Sequence, residues 1–364
     1  MPRFAANLGY LFTERALLER IDAASTAGFK AIELQFPYDH APSVIVDGAV
    51  AAARHLSGHF ALVGSTALVQ GALARHLGWR RLGLEIVEAP EVVGMSESPA
   101  AALRRKPQAS IRVAAGLVAS QQAKALFSAG HTGATVMAAH AAFGMIPGVD
   151  RPALATAIPT RGRPAVLLDA GASVECRPQH LLQFAVMGGV YARLALGIEK
   201  PRIGLLSIGE EATKGNELTR EAHRLLKSAP LRFIGNVEGR EIYSGTADVI
   251  VCDGFTGNVV LKTSEGLVET VEALLGDELK GTFSSQVGYL LSRRAFRRFR
   301  RRVDYSEYGG APLVGVAGLA IVGHGRSSVK AVRNALTMAY RFATSDFIER
   351  VEEEIGAVAA FRPS

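Results

Sequence analysis

Short apolar runs alternate with longer amphipathic segments along most of the chain. The runs include FALVGS, KALFSAG, AVLLDAG, RIGLLSIG, LRFIGN and DVIVCDG, and each ends in glycine, serine or asparagine. Strands that are apolar throughout are typical of a parallel sheet that helices cover on both faces. The pattern therefore predicts an α/β fold, a parallel-sheet αβα sandwich, with ligand-binding loops at the carboxyl ends of the strands.

The composition adds limits to this prediction. With 48% hydrophobic and 21% charged residues among 364, the chain is neither disordered nor fibrous, and its length allows about two domains or one large sheet. Cys176 and Cys252 are too few for a disulfide framework and lack partners at metal-ligand spacing, so we expect a reducing compartment and no metal. Glu14 interrupts the first apolar stretch, and no run of about 18 apolar residues follows, which favours a cytoplasmic protein.

The formal net charge of +7 is concentrated in one segment. The ten residues RRAFRRFRRR, from Arg293 to Arg302, contain seven arginines. Apolar residues recur there at spacings of three and four, which predicts an amphipathic basic helix near 284–303. The helix is either a solvated surface helix or a docking site for an anionic membrane or an acidic protein; no motif favours nucleic acid. The candidate docking residues are Arg293, Arg294, Phe296, Arg297, Arg298, Phe299, Arg300 and Arg301.

Small and polar residues follow several predicted strands. Glycine and asparagine tolerate left-handed turns, so turn geometry is a sufficient explanation for any one of these loops. As a set, however, backbone N–H groups, amides and lysines at strand ends suit a phosphate or an oxyanion. No Walker A pattern is present and no GxGxxG turn is followed by the acidic residue of a dinucleotide site, so we predict no nucleotide cofactor. The loops contain Ser128, Gly130, Thr132, Gly133, Asp169, Lys214, Asn216, Asn236, Glu238, Asp253, Asn258 and Lys262.

Two histidines accompany these loops. His324 follows the apolar run LVGVAGLAIVG, and His131 lies within SAGHTG. A histidine at a strand end can carry a proton, although a packed or capping histidine is the more common case.

From about Asp39 to about Ser345 the sequence resembles the bacterial acyl-acyl carrier protein:phosphate acyltransferase family. The resemblance lies in the motifs SAGHTGA, GVDRPALA, LLDAGA, HLLQFAVMG, GLLSIGEEATKGN, FIGNVEG, DVIVCDGFTGN, LKTSEG, YGGAPLVGV and HGRSS. It implies transfer of a long-chain acyl group from acyl carrier protein to inorganic phosphate, without a cofactor. It also implies a homodimer, a downstream acyl phosphate:glycerol-3-phosphate acyltransferase, and a fold like that of phosphotransacetylases and isocitrate/isopropylmalate dehydrogenases.

The resemblance also implies roles for the loop residues. Lys262 and Lys214 would bind phosphate or the tetrahedral intermediate, and His324 would carry a proton to the leaving thiolate. Asn216, Asn236 and Asn258 would be amide donors, and the remaining contacts would come from Ser128, Gly130, Thr132, Gly133, Asp169, Glu238, Asp253, Gly309 and Gly310. Three positions depart from the common family form, which has asparagine in place of His131, Ser173 and Ser207.

The N-terminus departs further from the family. Residues 1–38 resemble the start of hydroxypyruvate isomerase-type sugar isomerases, and residues 39–364 form the predicted phosphate acyltransferase domain. Pro37-Tyr38 replaces the usual Gly-Gly of the first strand-end loop, which makes that loop stiffer. We expect Ala31 to Phe36 to substitute for the missing first strand, with residues 1–28 as an added strand and helix.

The replaced N-terminus leaves alternative functions open. One is a catalytically impaired family member that acts as a binding or scaffold protein at the membrane. Another is a phosphotransacylase that uses coenzyme A as the acyl carrier. Sugar isomerase activity is disfavoured, because one βαβ unit is too short to form that site.

Overall fold

The apolar runs form strands and the amphipathic segments form helices. The computed structural model describes residues 6–7, 32–33, 41–303, 309–324 and 327–360. The strands, in chain order, are Ala6–Asn7 (β1), Ile32–Glu33 (β2), Phe60–Gly64 (β3), Leu84–Glu88 (β4), Ala125–Ser128 (β5), Ala153–Ile158 (β6), Ala165–Leu168 (β7), Ile203–Ser207 (β8), Phe233–Glu238 (β9), Val249–Val251 (β10), Ala311–Val314 (β11) and Leu319–Val322 (β12). The α-helices are Ala41–Ala53 (α1), Thr66–Leu73 (α2), Pro99–Arg105 (α3), Ser110–Ala119 (α4), Thr132–Phe143 (α5), Pro178–Leu196 (α6), Glu217–Ser228 (α7), Gly254–Gly281 (α8), Phe283–Val303 (α9), Val329–Ala343 (α10) and Phe347–Ala360 (α11).

An eight-stranded sheet forms the centre of the protein, in the order β5–β12–β11–β6–β7–β10–β8–β9. The strands β7, β10, β8 and β9 are mutually parallel, and β5 is parallel to β12. Antiparallel pairs of β12 with β11, β11 with β6, and β6 with β7 join these two groups. The predicted α/β class is confirmed, and the sheet is mixed rather than parallel throughout.

Two short connections account for two of the three antiparallel pairs, β6 with β7 and β11 with β12. The apolar run LVGVAGLAIVG is not one strand: Gly315, with a φ of +92°, lies in the turn between β11 and β12. Residues 159–164 likewise join β6 to β7. A parallel pair needs a crossover of a dozen or more residues, so connections this short produce hairpins.

Helices cover both faces of the sheet. Val249 and Val251 of β10 lie in the apolar core beneath α6, α7 and α11. Ile250, between them, points to the opposite face, where Val260 of α8 packs. Side chains of a strand alternate between faces, so a strand that is apolar at every position is buried on both sides, as the sequence indicates.

A smaller unit precedes the large sheet in the chain. The parallel strands β3 and β4 pair with each other and pack with α1 and α2 around Val50, Leu62 and Leu73. The contact of α1 with α10 is close, because a Cβ on Gly48 would lie 2.4 Å from Cβ of Val332.

Little of the N-terminal segment belongs to the described residues. The two short strands β1 and β2 pair in parallel, Ala6 with Ile32 and Asn7 with Glu33. The predicted helix of residues 1–28, the rest of Ala31 to Phe36 and the Pro37-Tyr38 loop lie outside the described residues. The substitution of Ala31 to Phe36 for the first strand therefore stays a prediction.

The helices α8 and α9 form a hairpin, and α9 covers the arginine-rich segment where the sequence predicts a basic helix. The guanidinium of Arg302 donates to the carbonyls of Thr160, at 3.0 Å, of Gly162, at 3.3 Å, and of Arg161. These bonds tie the end of α9 to the turn between β6 and β7. Among the helices of the described residues, none is long and apolar enough to cross a membrane.

The first prediction concerns the place where α8 meets the sheet. A Cβ on Gly257 would stand 1.8 Å from the carbonyl oxygen of Asp169 and 2.9 Å from Sγ of Cys252. We expect Gly257→Ala to lower the free energy of unfolding by about 3 kcal/mol or more, because backbone atoms would have to move. Urea denaturation followed by circular dichroism measures the effect.

Gly266→Ala is the matched control, since a Cβ at Gly266 of the same helix meets no atom within 4 Å. It should raise the free energy of unfolding by roughly 0.5–1 kcal/mol through helix propensity. Equal midpoints for the two variants would contradict the described contact.

Candidate active site

Helix α8 brings Lys262 to His324. Nζ of Lys262 lies 3.2 Å from Nε2 of His324 and 2.7 Å from Oε2 of Glu265. Glu265 Oε2 lies 3.9 Å from His324 Nε2. A cation, a carboxylate and an imidazole from two separate parts of the chain therefore meet at one place. Glu265 is absent from the residues predicted above. Its spacing of three residues from Lys262 on a helix would have indicated the contact between the two side chains.

The start of α8 is fixed by its N-cap, Asp253. Its Oδ1 accepts the N–H of Thr256 at 2.9 Å, and its Oδ2 accepts the hydroxyl of Thr256 at 2.7 Å. Both oxygens therefore serve the first turn of the helix, and this explains why aspartate follows β10 here. The structure gives Asp253 the task of starting the helix that carries Lys262.

One turn before Lys262, Asn258 contacts the loop that follows β7. Its Nδ2 donates to the carbonyl of Ala170 at 3.2 Å. The loop approaches closely because residue 171 is glycine: its φ is +131°, and a Cβ there would lie 2.8 Å from Nδ2 of Asn258. The predicted pair of Asn258 and Lys262 thus lies on one helix, with Asn258 held by the loop.

Asp169 lies beneath the site, fully buried. Its carboxylate accepts backbone N–H groups from Leu154 and Gly171, at 2.8 and 2.9 Å, and from Ala172 and Ser173, at 2.9 and 2.6 Å. Burial raises the pKa of Asp169, and the four N–H groups oppose that rise. Its oxygens accept from the backbone, so Asp169 shapes the loop, and its predicted contact with substrate stays a prediction.

The loop after β5 lies beside His324. Gly323 donates its N–H to the carbonyl of Ser128 at 2.7 Å, because β5 and β12 pair in parallel up to that point. Oγ of Ser128 accepts the hydroxyl of Thr135 at 3.1 Å and the N–H of Gly130 at 3.3 Å. The predicted residues Thr132 and Gly133 open α5 immediately after this loop.

Asn236 is buried, and its amide serves the fold. Its Nδ2 donates to the carbonyl of Glu211 at 2.9 Å, so its Oδ1 accepts, and Nδ1 of His223, 2.9 Å away, carries the proton of that bond. The carbonyl of Glu211 also accepts the N–H of Lys214 at 3.0 Å. Asn236 thus holds the turn that presents Lys214, and its predicted contact with phosphate stays a prediction.

The other predicted residues of this region form a second group. Asn216 is the N-cap of α7, and its Oδ1 accepts the N–H of Thr219 at 2.9 Å. Oε2 of Glu238 lies 2.8 Å from Nε of Arg240. In the part of the chain that the structure describes, the side-chain bonds of Asn216, Asn236 and Glu238 stay within the loops and helix that follow β8 and β9. They share the sheet edge of Asp169 and Asp253, because β8, β10 and β7 are parallel neighbours.

Gly309 and Gly310 act through packing. Gly309 has a φ of +79°, and a Cβ there would lie 2.2 Å from the backbone nitrogen of Ala335 in α10. A Cβ on Gly310 would lie 2.9 Å from the carbonyl oxygen of Val322. These glycines let the chain enter β11 between α10 and β12, so they support the loop of His324 from behind.

Neither cysteine suits a nucleophile. Burial raises the pKa of Cys176 to about 12, and it raises the pKa of Cys252 well above the usual range for a thiol. Within the described residues no three histidine, cysteine, aspartate or glutamate side chains come together as a metal site. The chemistry that these residues can supply is therefore cationic, amide and imidazole chemistry.

The candidate docking residues lie on α9. Arg293, Arg294, Arg297 and Arg298 are exposed. Phe299 is exposed as well, whereas Phe296 packs on Tyr289 with ring centroids 5.3 Å apart. The side chains of Arg300 and Arg301 lie outside the described part of the structure.

The second prediction tests the role of Asp169. We expect Asp169→Asn to lower the free energy of unfolding by about 2–4 kcal/mol, because the new amide N–H₂ would face backbone N–H groups that need an acceptor. The matched control is Asp253→Asn, which retains an N-cap oxygen and should change stability by less than about 0.5 kcal/mol. Urea unfolding of both variants measures the difference, and equal stabilities would refute the positioning role.

The chain is similar to known proteins over most of its length. Residues 38–350 match the family described as "Fatty acid synthesis protein". The phosphate acyltransferase of Acidobacterium capsulatum is 50% identical over 321 residues, which cover 88% of this chain and 95% of that relative. That of Heliobacterium modesticaldum is 51% identical over 317 residues, 87% of this chain and 95% of the relative.

Among solved structures, a phosphotransacetylase from Streptococcus pyogenes shares the fold. It aligns with a TM-score of 0.51 and 17% identity over 83% of this chain and 92% of its own. The expected likeness to phosphotransacetylases is confirmed at the level of the fold. By its match over residues 38–350 and its identity to these relatives, the chain belongs to the fatty acid synthesis protein family, together with the phosphate acyltransferases.

Proposed function

We propose that this protein transfers a long-chain fatty acyl group from acyl carrier protein to inorganic phosphate, and that the acyl phosphate serves phosphatidic acid and phospholipid synthesis. The observation that carries the proposal is the position of Lys262, 2.7 Å from Glu265 and 3.2 Å from His324, one helical turn from Asn258. Together with the family membership, this cluster supports acyl transfer, because an anionic acceptor and a developing oxyanion both need cationic and N–H donors.

In the proposed reaction an oxygen of hydrogen phosphate attacks the thioester carbonyl carbon. A C–O bond forms, and the C–S bond breaks through a tetrahedral intermediate whose oxygen carries negative charge. Lys262 leaves Glu265 for the phosphate or the intermediate. Asn258 contributes an N–H donor, since its amide nitrogen carries two N–H groups and Ala170 accepts one of them. Lys214 and Asn216 assist from the loop after β8.

His324 carries the proton in this scheme. An ammonium group only donates, so Nε2 of His324 accepts from Lys262, and the ring proton of the neutral imidazole then lies on Nδ1. Once Lys262 turns to the phosphate, Nε2 accepts the proton that hydrogen phosphate loses during the attack. His324 then delivers that proton to the leaving thiolate, so the products are acyl phosphate and the free carrier thiol.

The basic helix α9 is the proposed docking surface for the acyl carrier protein and for an anionic membrane. Four of its arginines are exposed side by side, and the acyl carrier protein is an acidic partner. A peripheral membrane contact would bring the cytoplasmic enzyme near the acyl phosphate:glycerol-3-phosphate acyltransferase that consumes the product.

A homodimer is also proposed, through the far part of the α8–α9 hairpin. Large apolar side chains are exposed there, and an apolar surface of this extent on one hairpin is typical of a contact surface. The exposed side chains are Leu274, Leu275, Phe283, Val287, Leu290 and Leu291.

The third prediction tests the acyltransferase activity. We expect Lys262→Ala to lower kcat/KM for phosphate by roughly 100- to 1,000-fold, because a charge-stabilising donor is lost. Lys227→Ala, at an exposed lysine of α7, is the control and should keep the wild-type rate. The assay combines the purified protein with palmitoyl-acyl carrier protein and phosphate and measures acyl phosphate and free carrier thiol.

Two further arms of the assay separate the alternatives. Activity with palmitoyl-coenzyme A alone would reassign the acyl donor. An inactive protein that gains activity when residues 1–38 are replaced by the N-terminus of the Acidobacterium capsulatum relative would support the impaired-enzyme alternative. Near-normal turnover of Lys262→Ala would remove Lys262 from the proposed mechanism.

The fourth prediction concerns α9. Reversal of Arg293, Arg294, Arg297 and Arg298 to glutamate should weaken binding to anionic vesicles or to the acyl carrier protein by roughly a hundredfold or more, because each cation near a charged surface contributes about 1 kcal/mol. The control reverses four exposed arginines elsewhere and so has the same net charge: Arg54, Arg104, Arg341 and Arg350. Sedimentation with vesicles and binding to immobilised carrier protein measure both variants. Equal binding by the α9 variant and the control variant would show that α9 is a solvated surface helix without a docking role.

A further inference from the structure

Exposed apolar side chains surround the start of α8. Val174 lies in the loop after β7 and is 57% exposed; Ile208 follows β8 and is 83% exposed. Phe255, after β10, is 62% exposed, and Val259, one turn further along α8, is 50% exposed. The strands β7, β10 and β8 are parallel neighbours, so all three loops leave the same edge of the sheet. The four side chains therefore form an apolar rim at this edge.

Hydrogen bonds hold parts of this rim together. The N–H of Gly254 donates to the carbonyl of Ser173 at 2.8 Å, which places Phe255 and Val174 directly after two bonded residues. The residues of α8 that pack inward lie on its other side: Val260 joins the apolar core. Phe255 and Val259 lie on the side of the helix that faces away from this core, and they are therefore exposed.

The rim adjoins the cluster of Lys262, Glu265 and His324. On a helix with 100° per residue, Phe255, Val259 and Lys262 lie within about 60° of one another, on one side of α8. Lys262 is itself 49% exposed in its side chain. The apolar pair and the cation are therefore within two turns of each other on the same exposed side of one helix.

We propose that Phe255 and Val259, with Val174 and Ile208 at their side, bind the hydrocarbon chain of the acyl donor. The inference rests on the proposed function. If phosphate is bound at Lys262, the acyl carbonyl carbon must come within about 3–3.5 Å of a phosphate oxygen. The first methylene groups then have to lie on a surface next to Lys262. His324, Glu265 and Asn258 supply polar surface there, whereas Phe255 and Val259 supply apolar surface.

The rim runs along α8 away from Lys262. With a rise of about 1.5 Å per residue, Val259 and Phe255 lie roughly 4.5 and 10.5 Å from Lys262 along the helix axis. A long acyl chain can therefore contact both side chains, whereas a butyryl chain, with three carbon atoms beyond the carbonyl, reaches only as far as Val259.

The test compares acyl chains of two lengths on the same carrier. For the double variant Phe255→Ser/Val259→Ser we expect the ratio of kcat/KM for palmitoyl to that for butyryl donor to fall by about tenfold or more, because buried apolar area is lost for the longer chain. The rate with the butyryl donor should fall much less, because that chain does not reach Phe255. Phe255→Leu, which restores apolar area, should recover most of the ratio. Leu77→Ser, at a leucine that is 94% exposed outside this rim, is the control and should leave the ratio unchanged.

A binding experiment separates failure of the subsite from failure of the proposed function. The palmityl thioether of pantetheine cannot react, and its affinity should fall by about tenfold in the double variant. An active wild-type protein with an unchanged chain-length ratio would overturn the subsite and leave the acyltransferase function standing. A wild-type protein without turnover would refute the function, and the thioether affinities would still decide the subsite. Equal losses of kcat/KM for both donors would show that the rim only positions helix α8. A changed oligomeric state in analytical ultracentrifugation would assign the rim to a contact between subunits.

Discussion

The candidate active site depends on one buried carboxylate. Asp169 accepts four backbone N–H groups, and these bonds fold the loop after β7 into a compact turn. The carbonyls of Ala170 and Ser173 then face α8, where they accept from Asn258 and from the N–H of Gly254. Because a buried carboxylate is stable only when its oxygens are satisfied, the loop has little freedom to take another shape.

The position of Lys262 follows from that junction. Helix α8 is buried only at Gly254 and Gly257, and its later residues are exposed or half-buried. Further contacts of the same stretch come from Ser264, which hydrogen-bonds the hydroxyl of Tyr243, and from the partly buried Leu261. A helix held at its first turns and open on its outer side keeps its backbone fixed while a long side chain changes partners. This is the arrangement that a lysine needs in order to pass from Glu265 to a bound anion.

Local patterns in the sequence identified most strands and loops, because an apolar run followed by glycine and a polar residue is a local signal. The neighbourhood of Ser128 and His324 is not local, since it arises from the pairing of β5 with β12 across the sheet. The hydrogen bonds of Asn236 could not be predicted from the sequence either. The same local pattern, an asparagine near the end of a strand, is compatible with binding a ligand and with donating to the carbonyl of Glu211. The hairpin in LVGVAGLAIVG escaped detection because its turn is composed of small apolar residues that continue the run.

The distribution of charge separates two kinds of electrostatic interaction. In the described structure Lys262 is paired with Glu265 and Glu238 with Arg240, so an acid and a base compensate each other locally in both places. Helix α9 contains no acidic residue, and its exposed arginines add a field of one sign. Salt screens exposed charges over about 8–10 Å at physiological ionic strength, whereas half-buried pairs are screened less. Contacts made through α9 must therefore weaken with salt more steeply than anion binding at Lys262, and this difference distinguishes loss of docking from loss of chemistry.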